Sequence, residues 1–328
     1  MQHDWKIFTG SGHPTDAINR LPEPPPWRQF KGKVVKERNF PKTEKSVSSE
    51  LIERGKTFLA NDQIVEMVNA ALYLRRPLLV TGKPGTGKSS LIYRVAYELM
   101  LGEVLEWPIT SRTTLQQGLY QYDAIGRLQE SQLKGQTPDI GKYLKLGALG
   151  TALLPTARPR ALLIDEIDKA DLDLPNDLLN IFEKGEFRIP ELERLDQQTV
   201  EIRDQTGELF PITNGYIRCS QFPFVVMTSN GERDFPAPLL RRCLQLTLGE
   251  PDLNQLELIV EAHLGANIAR ESRVHIQTFL NQRDTEALAT DQLLNALFLV
   301  IGRSGIQEAD RPRLIKELFQ SLTTMETP

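Results

Sequence analysis

The sequence predicts an α/β fold, a three-layer αβα sandwich around a parallel sheet, with a small C-terminal all-helical domain. Three observations carry this expectation. The loop Gly82-Lys83-Pro84-Gly85-Thr86-Gly87-Lys88-Ser89 separates an apolar run from an amphipathic segment. Short apolar runs alternate with helical periodicity between residues 51 and 250, as in a sheet covered on both faces. Beyond Pro251 the β-like runs stop and only helical spacing remains.

Taken in order, residues 1–50 read as an extended Pro-rich arm. Leu21-Pro22-Glu23-Pro24-Pro25-Pro26-Trp27 fits neither a helix interior nor a central strand. Trp5, Trp27 and Phe30 give the arm something to bury, although a disordered tail is the equal alternative. Residues 51–250 form the αβα core. Ile64, Met67, Val68, Ala71 and Leu72 share a helical face before the strand 77–80, and Leu91, Ile92, Val95, Ala96 and Leu99 share another after the loop. Further strands are expected at 104–109, 161–164, 224–227 and 244–248. Residues 251–328 form the helical domain, with Thr290 or Asp291 as an N-cap and Pro312 in a first turn.

The 328-residue chain is 40% hydrophobic and 25% charged, the composition of an ordinary globular protein. Its net charge of -4 supplies no global basic field for nucleic acid. Cys219 and Cys243 lie far apart without metal-ligand spacing, which fits a reducing cytosol and argues against a zinc site. The N-terminus lacks the pattern of a secretory signal, and no apolar run approaches the length of a bilayer span. A cytoplasmic protein without membrane insertion is expected.

The glycine loop has the spacing of a phosphate-binding P-loop. Glycines at 82, 85 and 87 let the backbone curl so that successive N–H groups face phosphate oxygens, and the following helix start adds its positive end. Gly82, Pro84, Gly85, Thr86, Gly87, Lys88, Ser89 and Ser90 are the candidate nucleotide-binding residues. Lys88 would reach the β and γ phosphates, and Ser89 would offer its hydroxyl to Mg²⁺.

Ala161-Leu162-Leu163-Ile164 is a buried strand that ends in Asp165 and Glu166. Ligands of parallel sheets lie beyond the carboxyl ends of the strands, so both acids would emerge beside the loop. Asp165 would then hold the Mg²⁺ shell and Glu166 would orient the attacking water. Phe224-Val225-Val226-Met227-Thr228-Ser229-Asn230 ends similarly, with Asn230 either a γ-phosphate sensor or part of an ordinary Asn-Gly turn. Arg241 and Arg242 fit either a solvated or salt-bridged face or an arginine finger.

Together these motifs resemble an AAA+ ATPase over roughly residues 55–328, with the MoxR and dynein-related branch as the nearer likeness. That branch is suggested by the acid pair followed by Lys169-Ala170-Asp171 to Leu178-Leu179, and by Leu240-Arg241-Arg242-Cys243. Bacterial MoxR-type proteins act beside von Willebrand A-domain partners. The resemblance implies a P-loop NTPase core with a helical lid, ATP and Mg²⁺ as ligands, and a ring, usually hexameric, with ATP between subunits. It assigns Asn230 as a sensor and Arg242 as the finger acting in the neighbouring subunit, with Arg241 beside it. It also implies inserts near 118–147, where Tyr120, Tyr122 and Tyr143 either face a pore or pack, and near 185–219, as a hairpin of 199–203 with 208–212.

Two features depart from or extend that pattern. The stretch Leu288 to Leu294 carries no arginine for a lid sensor. Thr110 or Ser111 is the candidate polar switch restraining Glu166. The leading reading is therefore ATP-driven remodelling or switching of a protein partner. A nucleic-acid motor or restriction-type NTPase is the alternative, disfavoured because residues 199–216 hold Arg203 against three acids. A nucleotide-gated scaffold with little turnover is the third.

Overall fold

The computed structural model describes residues 5–136, 138–196, 198–283, 288–302, 306 and 310–319. The parts of the expected arm and helical domain at 1–4, 284–287, 303–305, 307–309 and 320–328 lie outside the described residues. In chain order the strands are β1 (Leu78–Thr81), β2 (Leu105–Pro108), β3 (Tyr120–Tyr122), β4 (Leu144–Leu146), β5 (Ala161–Asp165) and β6 (Glu186–Arg188). They continue with β7 (Thr199–Arg203), β8 (Leu209–Thr213), β9 (Tyr216–Arg218), β10 (Phe224–Ser229) and β11 (Leu244–Thr247).

Five strands form a sheet in the order β11-β1-β10-β5-β2. β1 pairs in parallel with β10, β10 with β5, and β5 with β2. The register sets Thr81 beside Ser229 and Ile164 beside Met227, so the carboxyl ends of the central strands finish along one edge. Buried side chains at Ala161–Ile164 and throughout Phe224–Ser229 show why these strands read as continuous apolar runs. β10 runs two residues past the expected Met227. Thr228 and Ser229 stay in the sheet although polar, and the Thr228 hydroxyl finds a carboxylate partner described below.

The remaining six strands form a second sheet, β3-β4-β7-β8-β9-β6. Its centre is the β7–β8 hairpin, in which Val200, Ile202, Phe210 and Ile212 are buried and the residues between face outward, the period-two signature of a one-sided sheet. The 118–147 segment supplies β3, β4 and the helix Ala124–Lys134 between them. All three tyrosine hydroxyls there are engaged: Tyr120 donates to Glu191, Tyr143 donates to Glu130, and Tyr122 accepts from Arg127. They pack rather than project freely.

The N-terminal segment is strapped to the first unit by side chains reaching out of helices. Asn69, on the helix Asp62–Leu74, accepts from the N–H groups of Ile7 and Phe8 at 2.7 and 3.0 Å and donates to the carbonyls of Phe8 and Val65. Glu98 accepts from the backbone of Thr9, Gly10 and Gly12. What the segment buries differs from expectation. Ile7 and Phe8 are 2% and 0% exposed, whereas Trp5 and Trp27 are 47% and 72% exposed. Phe30 is half-buried and stacks on Phe222.

Contacts divide the chain into two units. The first takes residues 1–55, 60–81 and 89–246, with both sheets; the second takes 56–59, 82–88 and 247–328. The second unit contains the helices Leu253–Leu264, Ala266–Glu271, Arg273–Arg283, Thr290–Val300 and Arg311–Leu318. Leu256, Val260, Ile276, Phe279, Leu293, Leu297 and Phe319 form its core. Capping is supplied by Asp252, whose side chain accepts from Gln255 N–H.

Replacing Asn69 with Ala leaves the Ile7 and Phe8 amides without their buried acceptor. We expect a loss of about 2–4 kcal/mol, read by urea unfolding; a change below about 0.5 kcal/mol would contradict the strap.

Candidate functional site

The glycine loop joins β1 to the helix Ser90–Glu98. Gly85 and Gly87 have φ of 76° and 83°, a region that side-chain-bearing residues occupy at a cost. Space restricts Gly85 as well, since a Cβ there would lie 2.8 Å from both the Ala289 Cβ and the Thr290 amide nitrogen. Within the second unit, then, the loop backs onto the start of the helix Thr290–Val300. An arginine sensor was the family expectation for that stretch; here it contributes backbone and a small side chain at closest approach. Lys88 is buried, and its ammonium donates to the carbonyls of Gly82 and Lys83, each at 2.9 Å. Lys83 reaches outward to Glu250.

In the first unit, Ser89 and the carboxyl ends of β5 and β10 meet. The Ser89 hydroxyl donates to Asp165 Oδ1 at 2.7 Å. The Thr228 hydroxyl donates to the same oxygen at 2.5 Å and accepts from the Glu166 N–H at 2.8 Å. One threonine thus fixes the carboxylate and the backbone of the next residue. Glu166 has φ of 60°, a left-handed conformation uncommon for such a residue and concentrated at functional sites. Its carboxylate meets Lys169 Nζ at 2.7 Å, a hydrogen bond that raises the Lys169 pKa.

Asn230 follows β10 and is half-buried. Its N–H and that of Glu232 donate to Asp168 Oδ2 at 2.9 and 3.2 Å. Asp168 is 2% exposed, so it serves as a buried anchor for the turn that presents Asn230. Asp168 and Thr228 were missed in the sequence. The signal for Asp168 was its place three residues after Asp165 in Asp165-Glu166-Ile167-Asp168. For Thr228 the signal was a hydroxyl at the end of an otherwise apolar strand.

The structure does not bring every expected residue to this edge. Thr110 faces Thr113, with hydroxyl oxygens 3.1 Å apart, and Lys169 rather than Thr110 or Ser111 holds the Glu166 carboxylate. Arg241 and Arg242 end the short helix Ala237–Arg242. The Arg242 guanidinium lies 3.5 Å from Glu183 and donates to the Pro238 carbonyl. The Arg241 side chain is exposed, while its carbonyl accepts from Arg76. Pro84, Thr86 and Ser90 complete the loop; Thr86 donates to the Lys83 carbonyl at 2.9 Å. Cys219 and Cys243 are free and buried, and burial pushes both thiols up to about 12.

Residues 77–243 match the AAA domain of the dynein-related subfamily. The chain belongs to that family, whose domain implies nucleotide binding and ATP hydrolysis. No curated protein matches the chain.

The donor set at this edge suits Mg²⁺. No group of three or more His, Cys, Asp or Glu is placed to hold a metal among the described residues. Mg²⁺ needs no such cage, because it keeps several waters and takes one or two protein oxygens plus substrate phosphates. Among the described residues both hydrogen bonds to the Asp165 carboxylate fall on Oδ1, which leaves Oδ2 for a ligand.

Replacing Asp168 with Ala strips two turn amides of their buried acceptor. Stability should fall by about 2–3 kcal/mol, measured by denaturant unfolding, and Asp168→Asn should fall less. Equal behaviour of the alanine variant and the wild type would show that the turn stands without this anchor.

Proposed function

We propose that the chain hydrolyses ATP at the seams of a ring of its own copies, and uses the cycle to remodel or switch a protein partner. The observation that carries this reading is the meeting of Ser89 and Asp165 at 2.7 Å. It joins the residue after the phosphate loop to the carboxyl end of β5.

The residues of Gly82 to Ser90 bind the phosphates, with backbone amides of the loop and the Lys88 ammonium facing the β and γ groups. For this, Lys88 exchanges the carbonyls of Gly82 and Lys83 for phosphate oxygens. Ser89 and Asp165 are the residues that would hold Mg²⁺, which would neutralise the charge developing on the phosphates. Glu166 orients the attacking water and draws on its proton, after leaving Lys169. That pair is half-exposed and so is held weakly. Asn230, on the turn anchored by Asp168, places its amide against the γ-phosphate side of the water.

Arg242 is the finger presented to the site of the next copy, with Arg241 beside it. The Arg242–Glu183 pair is also partly exposed, 40% and 52%, so its release costs little. A ring follows from this division of labour, and six copies is the number the family likeness favours. Among partners, a protein client or a von Willebrand A-domain protein fits the MoxR-type likeness. Nucleic acid fits less well, because the β7–β8 hairpin carries Arg203 against Glu201, Asp204 and Glu208.

Glu166→Gln should keep ATP binding and lower turnover by about 10²–10⁴-fold, measured by phosphate release alongside nucleotide titration. Turnover within about twofold of wild type, against the range expected of a general base, would remove Glu166 from the role. Mixing Lys88→Ala subunits with Arg242→Ala subunits should restore part of the lost turnover, because some seams then pair an intact loop with an intact finger. Mixtures no more active than the summed parents would exclude a finger acting in trans.

A further inference from the structure

Arg160 precedes β5, at the opposite end of that strand from Asp165. Its side chain is 3% exposed. Yet its Nε is buried without a partner, and its guanidinium makes no hydrogen bond or ion pair among the described residues. Burying a guanidinium bare is costly, and a native orphan of this kind calls for an explanation. Burial pulls the Arg160 pKa down to about 9, the Arg38 charge adds to that, and Glu103 and Glu208 oppose it.

Arg160 lines a cavity of about 440 Å³ in the first unit. The N-terminal arm supplies Arg38, Lys45 and Ser46, among others, to its wall, and Glu103 and Glu208 are the acidic residues of the lining. The charges are layered. Arg38 is 7% exposed and its charge is met by Asp204, which is fully buried. Arg160 therefore carries the uncompensated positive charge of the buried end. Glu208 is 47% exposed and Glu103 is also exposed, so the acids sit toward solvent.

We infer that this cavity is a binding site for a small-molecule oxyanion, a phosphate or carboxylate head on a ligand whose far end offers hydrogen-bond donors to Glu103 and Glu208. A guanidinium fork matches either head in a bidentate manner, and the cavity volume falls in the range of small-ligand sites. The arm gains a purpose from this arrangement, since it forms one wall of the cavity. The site is separate from the phosphate loop and does not rest on the proposed ATP chemistry.

The test uses the full chain carrying Lys88→Ala, so that the phosphate loop does not contribute, with and without Arg160→Met. Each protein is titrated with inorganic phosphate and, separately, with succinate, and followed by thermal unfolding and calorimetry. At about ten times the dissociation constant, at least one anion should raise the midpoint by about 3 °C. Arg160→Met should weaken that anion at least ~tenfold, and Arg160→Lys should retain a reduced response. Response to phosphate alone identifies a phosphoryl head, and response to succinate alone a carboxylate head; response to both supports the shared chemistry. Without anion, Arg160→Met should unfold at the same temperature as its parent or higher, because an unpaired buried charge has been removed. No response to either anion overturns the inference. So does an equal response with and without Arg160, or an anion-free midpoint that falls in Arg160→Met.

Discussion

A single carboxylate oxygen, Asp165 Oδ1, ties the site together. It accepts from Ser89, which follows the glycine loop, and from Thr228, which belongs to the neighbouring strand. Through Thr228 the same junction reaches the Glu166 amide and holds that residue in its left-handed conformation. Parallel pairing of β10 with β5 is what makes the junction possible, because it fixes the carboxyl ends of the two strands side by side. A one-residue slip would turn Thr228 to the other face and separate the hydroxyl from the acid. Register is therefore a functional constraint as much as a structural one.

The buried polar groups follow a common logic. Asn69 and Glu98 satisfy the backbone of the N-terminal segment, Asp168 satisfies the turn carrying Asn230, and Asp204 meets Arg38 while accepting from the Glu208 amide. In each case a buried side chain takes up backbone or charge from irregular chain, which is how irregular chain can be buried at all. Arg160 departs from the rule, and for that reason it is the most informative residue away from the phosphate loop.

Much of the fold was legible because period and punctuation agreed. The apolar runs at 161–164 and 224–227 read as strands buried on both faces because they are short and continuous, and the glycine loop fixed its own context. The β7–β8 hairpin was expected from the family likeness, and the alternating burial of its strands fits that expectation. The candidate site was legible where one residue type has one job, as with Lys88, Ser89 and Asp165. It was not legible where the job depends on a partner distant in sequence. Thr228 looks like the end of a strand until Asp165 lies beside it, and Asp168 looks solvated until the 230–232 turn folds over it. The arm misled for a related reason: tryptophans promise burial by size, but Ile7 and Phe8 are the residues whose backbone meets Asn69, and burial followed the hydrogen bonds. Association of the glycine loop with the helix Thr290–Val300 was hidden as well, because nothing near residue 85 signals residue 289.

The most direct test of the account is the effect of Mg²⁺ on ADP affinity in the wild type and in Asp165→Asn, measured by calorimetry. If Asp165 holds the metal that bridges to the phosphates, Mg²⁺ should tighten ADP in the wild type, and the variant should lose most of that gain while binding metal-free ADP as before. An undiminished Mg²⁺ effect in Asp165→Asn would contradict the assignment of this carboxylate, and with it the reading of the Ser89–Asp165–Thr228 junction as the centre of the site.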